Sequence, residues 1–323
     1  MSTQVMKASD MYPWLSGHWS FFIQRLQRQT LAHALMVEGP AGTGKTELAR
    51  AMVYRLLCRE NLPEACGECR SCKLFAGAAH PDFFELVPDE GSEVIKVDQV
   101  RGLISRLDLT TSISQRKVAY IHPAEAMNGA AANALLKSLE EPNGDTVIIL
   151  VSDNPGRLPI TIRSRCQAIS IKQPDAQLVT GWLEQRSDST DGQIKDALLA
   201  AGGSPLRAAE YLDSPDLDGY GKVQKGLARL LTRPGAVSQV SSQLNDLEPV
   251  DLWRWLSICT GEVIKSLVTH EPLEWLPPND KLTGKGLFEL QRQADIGRQM
   301  SSTPVRGDLL LQSWLIRWAE QVV

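Results

Sequence analysis

The segment Gly39-Pro40-Ala41-Gly42-Thr43-Gly44-Lys45-Thr46 follows directly on the apolar run Ala34-Leu35-Met36-Val37, and no other stretch constrains the fold of this chain as tightly. Glycines at 39, 42 and 44 allow the backbone to curl until several N–H groups face one point. Lys45 stands where an ammonium reaches β/γ-phosphate oxygens, and Thr46 where a hydroxyl holds Mg²⁺. A helix predicted over 47–57 aims its positive end at the same anion. The order predicts a strand, a phosphate-cradling loop and a helix, with ATP or ADP and Mg²⁺ as the ligand. A loop kept for structure, without turnover, is the other reading of the same residues.

The 323 residues, 43% of them hydrophobic, suffice for two or three domains of ordinary size. Strand-like apolar runs at 35–37, 83–87, 117–121, 146–151 and 168–171 alternate with helical patterns. That alternation predicts an α/β domain over 1–172, with a mostly parallel sheet covered by helices on both faces. Beyond Pro174 the strands stop, and 176–184, 192–201 and 205–212 read as short helices of a small lid domain over 173–212. A Pro/Gly/Asp-rich stretch at 213–219 predicts a linker, and 213–323 a third, all-helical domain carrying five of the eight tryptophans. No apolar run approaches the ~20 residues that span a bilayer, and residues 1–13 lack the basic start and apolar core of a signal peptide. A cytoplasmic protein with no membrane partner is expected. A net charge of −4 excludes a chain that grips nucleic acid through a global positive field.

Cys58, Cys66, Cys69 and Cys72 cluster just past the loop's helix, in the spacing C-x7-C-x2-C-x2-C. Where thiols stay reduced, four such residues predict a structural Cys₄ zinc site rather than disulfides or a redox pair. All positions are filled by thiolates, so none is left for a catalytic water. Between Cys58 and Cys72 the only basic residues are Arg59 and Arg70 and there is no aromatic, too little for a nucleic-acid-reading zinc ribbon. Cys166 and Cys259 stand apart and read as small buried hydrophobes.

A hydrolysing site needs a second acidic motif at the end of a neighbouring strand, to orient Mg²⁺ and polarise water. The matching strand, 117–121, runs instead into His122 and Pro123, and the next acid, Glu125, comes two positions late and is placed at the start of a helix. Loss of a positioned base alone costs roughly 10²–10⁴ in rate. The site is expected to hold nucleotide and hydrolyse it poorly. The strand 146–151 ends at Ser152-Asp153-Asn154, where Ser152 reads either as a polar group near the terminal phosphate or as part of the turn before Pro155.

His33-Ala34-Leu35, the Cys₄ module, His80-Pro81-Asp82, the run from Ala131 to Pro142 and Ile162-Arg163-Ser164-Arg165-Cys166-Gln167 together resemble the clamp-loader ATPases of the AAA+ class. The resemblance covers residues 1–212; beyond them, only 309–315 resembles the family's closing helix. It implies an AAA+ type sheet domain, a helical lid and a C-terminal collar that joins a five-membered ring. It implies gamma/tau and delta subunits of bacterial DNA polymerase III as partners, with primed DNA and the sliding clamp reached through the complex. Arg165 resembles the family's arginine finger, reaching ATP on a neighbouring subunit, and the chain would then be a stator. The absent acids after Ile121 separate it from the ATP-hydrolysing gamma/tau motors, which remain the alternative. The lid arginine that touches nucleotide in those motors has no match in register: Pro205 and Leu206 stand there, and Arg207 comes one position late, turned by about 100°.

Overall fold

A computed structural model describes residues 11–214, 216–278, 282, 284–300 and 307–322. Internal contacts divide the chain into two compact units, Met1–Trp182 and Leu183–Val323. The first unit is built on β1 (Ala34–Glu38), β2 (Phe83–Leu86), β3 (Lys117–Ile121), β4 (Thr146–Ser152) and β5 (Gln167–Ser170). All pair in parallel, in the order β2-β3-β4-β1-β5, so the expected mostly parallel sheet is wholly parallel.

Strand side chains alternate between two cores. Leu35, Val37, Val118, Tyr120, Ile149 and Ile169 pack beneath α1 (Ser16–Gln27), α2 (Lys45–Leu57) and α3 (Arg70–Ala76). Ala34, Met36, Ala119, Ile121, Ile148 and Leu150 pack beneath α4 (Val97–Leu107), α5 (Gly129–Glu140) and α6 (Ile160–Arg163). Burial on both faces is why the strands read as unbroken apolar runs rather than alternating ones. The helices carry their own signals. In α4, Val100, Leu103 and Leu107 bury one stripe. In α5, the Asn128 side chain accepts from Ala131 N–H at 2.8 Å, and Glu141 ends the helix before Pro142. Leu135 and Leu139 of that helix are buried, while Leu136 lies half-buried at the edge of the face.

Parallel pairing gives the sheet two distinct rims. Glu38 is opposite Ser152 and Ile121 opposite Leu150, so the chain leaves β1, β3 and β4 at one carboxyl rim. Gln167 is opposite Leu35, so the residues entering β5 lie at the amino rim.

α7 (Ala176–Arg186) spans the division between the units. The second unit holds α8 (Asp191–Ala200), α9 (Pro205–Asp213), α10 (Leu217–Thr232), α11 (Val237–Leu244), α12 (Pro249–Thr269), α13 (Gly284–Met300) and α14 (Gly307–Ala319), with no strand among the described residues. Trp253, Trp255, Trp314 and Trp318 are buried; Trp318 donates its N–H to Leu227 O at 3.1 Å and Trp314 to Leu290 O at 2.9 Å. The linker expected over 213–219 is shorter than its composition implied, because α10 already includes Leu217, Asp218 and Gly219. Gly219 is a packing contact rather than a hinge: a Cβ there would stand 2.6 Å from the Trp255 ring.

Candidate nucleotide and metal sites

The loop after β1 has the backbone its glycines predict. Gly39, Gly42 and Gly44 have φ of 145°, 71° and 83°, and a Cβ on Gly39 would lie 2.0 Å from the Ile171 carbonyl oxygen. Gly44 caps α2, which begins at Lys45, so the free N–H groups of the first turn open onto the loop. Thr43 is buried, donates through Oγ1 to Pro40 O at 2.9 Å, and receives the Trp14 indole N–H on its carbonyl at 2.9 Å. Tyr12 stacks on Trp14 at 5.3 Å and lies against Gly44, while Trp182 meets both rings edge-on. This aromatic brace escapes a reading of the sequence, because its members are scattered over 170 positions with no shared period.

Lys45, with a side chain only 2% exposed, contacts Pro40 O at 2.5 Å and the Asp153 carboxylate at 2.7 Å. Thr46 follows it, half-buried in the first turn. At the same rim His122 and Pro123 leave β3 with no carboxylate, as the sequence indicates. Glu125 does not open the next long helix, which starts at Gly129; it lies in a single 3₁₀ turn, Ala124–Ala126. There one of its oxygens accepts the N–H groups of Asp153 and Asn154, each at 3.0 Å. Two unpaired donors on a sharp turn need an acceptor, and Glu125 supplies it. Ser152 closes β4, fully buried, with its carbonyl accepting Gly39 N–H at 3.3 Å. Its Oγ, His122 Nδ1 and the second Glu125 oxygen are buried without a protein partner. Such orphaned groups beside a glycine cradle fit a polar ligand of the nucleotide-phosphate kind. The loop N–H groups, Lys45 and Thr46 would hold its phosphates, and Mg²⁺ bound there would offset their charge. Of the acids named at this rim, Asp153 is committed to Lys45 and Glu125 to the turn.

The four clustered cysteines converge. Their sulfurs lie within 4.8 Å of one another, with Cys58 to Cys66 at 3.7 Å and Cys66 to Cys72 at 3.8 Å. Tetrahedral zinc with Zn–S of ~2.3 Å sets its sulfurs about 3.8 Å apart, so the cluster has the dimensions of a zinc site. Burial pushes the Cys58 and Cys72 thiols up, so both would keep their protons unless a cation replaced them. Burial also opposes ionisation of Cys69, but N–H groups of Arg59 and Cys72 directed at its sulfur bring it down to about 7. Arg55, in the last turn of α2, is 6% exposed and its Nε has no partner. The charges that act on it are Cys58 and Cys72, which favour the guanidinium when ionised, and Arg116, which opposes it. Zinc held by four thiolates carries a double negative charge, which would compensate this buried cation. Ser71 ties the module to the end of α2 and to the segment before β2: it donates to Leu57 O at 2.5 Å and lies 2.7 Å from His80 Nε2.

Arg165 sits two residues before β5, at the amino rim. Its Nε donates to Glu140 Oε1 at 2.6 Å, a terminal nitrogen pairs with the same oxygen, and another donates to Thr161 O at 3.0 Å. The side chain keeps 32% of its exposure. Ser164 precedes it as the cap of α6, and the half-buried Cys166 thiol is pushed up to about 12 by burial, which suits packing and not nucleophilic chemistry. Cys259 is fully buried. Arg207 in α9 faces Asp251 at 3.6 Å, an acid that also binds Arg254 and Tyr211.

The "DNA polymerase III, delta subunit" family model matches residues 15–175. The DNA polymerase III subunit delta' of Pseudomonas aeruginosa is 36% identical over 318 residues, covering 98% of this chain and 92% of that protein. The chain belongs to the delta' family of DNA polymerase III subunits. The delta' subunit of Escherichia coli K12 is 34% identical over 79% of this chain and 76% of its own length. The tau subunit of Bacillus subtilis is 32% identical over 67% of this chain but only 38% of tau. In this delta' chain the described helices include none long and apolar enough to cross a membrane.

Proposed function

We propose that this chain works as the delta' subunit of a DNA polymerase III clamp loader, a stator that presents Arg165 to ATP held by a neighbouring subunit. One observation carries the reading. The chain's own phosphate loop leaves β1 at the carboxyl rim, whereas Arg165 enters β5 at the amino rim of the adjacent strand. The rims are roughly 15 Å apart along the strands, so Arg165 is remote from the loop of its own chain, and a neighbour's phosphate would compete with Glu140 for its partly exposed guanidinium. A guanidinium is always charged, and its planar fork matches phosphate oxygens. Presented across an interface, it would stabilise charge that develops on a transferred phosphoryl group.

The rest of the proposal follows the same division of labour. Gly39, Gly42, Gly44, Lys45 and Thr46 bind Mg-nucleotide in the chain's own site, with Ser152 beside it, and His122 and Pro123 leave that site without a base. The Cys₄ module over 58–72 holds structural zinc. The sheet domain over 1–172, the lid over 173–212 and the collar over 213–323 take part in a five-membered ring with gamma/tau and delta subunits, through which the sliding clamp and primed DNA are engaged. The alternative, a gamma/tau-like motor, would need a free carboxylate at the end of β3. Two measurements test the reading: the purified chain should co-assemble with gamma/tau and delta subunits, and alone it should hydrolyse ATP at background rate. Failure to assemble, or a motor-like rate abolished by Lys45→Ala, would reject it.

A further inference from the structure

We propose that Asp153 makes the phosphate loop of this chain prefer ADP to ATP, by occupying the Lys45 ammonium that a terminal phosphate would require. The inference rests on the reading that the loop binds nucleotide and adds which nucleotide it keeps. Lys45 has three N–H donors, and two acceptors already face it, Pro40 O at 2.5 Å and the Asp153 carboxylate at 2.7 Å. At 2% exposure the ammonium is not solvated freely, so these two acceptors take up most of its hydrogen-bonding capacity.

Asp153 is built into this position. Its own N–H and that of Asn154 are both held by Glu125, and the preceding residue is tied to the loop through the bond from Gly39 N–H to Ser152 O at 3.3 Å. The backbone under the carboxylate is thus fixed from two sides. The carboxylate itself is 46% exposed, so the pair forms the floor of an open rim and not a sealed core contact. A diphosphate can use the loop N–H groups, the positive end of α2 and the third Lys45 N–H without displacing Asp153. A third phosphate brings further negative charge to the ammonium that the carboxylate already holds, and like charges brought together at one cation are strongly disfavoured. The same acid offsets the charge of the buried lysine.

The test measures dissociation constants of Mg-ADP and Mg-ATP for the full-length chain and for Asp153→Asn, Asp153→Ala and Lys45→Ala. The wild type should bind Mg-ADP roughly tenfold more tightly than Mg-ATP. Both Asp153 variants should bring the ratio near one by gaining affinity for Mg-ATP. Equal affinities in the wild type, or a ratio unmoved by the substitutions, would overturn the role of Asp153 while leaving nucleotide binding intact. Weaker Mg-ATP binding in Asp153→Asn would overturn it in favour of a carboxylate that ligates Mg²⁺. If neither nucleotide binds to the wild type or to either Asp153 variant, the nucleotide reading of the loop fails together with the proposal.

Discussion

Glu125 holds the turn after β4 with one oxygen and leaves the other buried without a partner, so a single side chain fixes the acid that contacts Lys45. Glu125→Ala should hand the two exposed turn donors to water and lower stability by about 1 kcal/mol, read by urea denaturation. Gly39→Ala should do more harm, because an L residue at φ 145° with a carbonyl oxygen 2.0 Å from its Cβ forces β1 and the segment after β5 apart. A variant of wild-type stability would contradict this account of the loop. The glycines, Lys45 and Thr46 were legible in the sequence because a cradle needs them at fixed local offsets. The pairs Lys45 with Asp153 and Arg165 with Glu140 were not, since they join residues from separate elements and leave no period for a sequence reading to detect.

Among the elements, the Cys₄ module was the most legible, since the short spacing of its ligands is itself the geometric constraint. Its supports were less so: buried Arg55, whose charge is acted on by Cys58, Arg116 and Cys72, and the Ser71–His80 contact that joins the module to the segment before β2. Chelation should remove one zinc per chain and loosen residues 58–76 to amide exchange while the sheet stays protected. Arg55→Met should weaken zinc in chelator competition by roughly tenfold or more, whereas Arg59→Gln should not. Unchanged zinc retention in Arg55→Met would remove its role as counter-charge. Asp82 anchors the approach to β3. Burial alone would raise its carboxyl, but N–H groups of Ser112, Ser114 and Ile113 and the Ser114 hydroxyl outweigh this and hold it below its usual 3.8. A depressed folded value stabilises above pH 3.8 and is lost as pH falls through it. Asp82→Asn should therefore cost about 2 kcal/mol near neutrality, with the gap to wild type closing in acid. A gap independent of pH would assign the effect to packing.

For the whole molecule, the parallel sheet places the phosphate loop and Asp153 at one rim and Arg165 at the other. The strand boundaries were legible within about one residue because both faces are buried, which makes each strand a continuous apolar run. The linker read over 213–219 was too long at its end, because composition does not distinguish a glycine that bends the chain from one that admits a tryptophan. The central claim is that Arg165 serves a site outside its own chain. Its side chain is partly exposed and paired with a partly exposed glutamate, so Arg165→Ala should change stability by less than ~1 kcal/mol and leave assembly intact. The decisive measurement is clamp-loading rate and ATP hydrolysis by the complete complex carrying Arg165→Ala in this subunit alone. Hydrolysis should fall by up to roughly 10³ at the one site Arg165 reaches, with clamp loading falling further than bulk hydrolysis. Full clamp-loading activity in that complex would contradict the account.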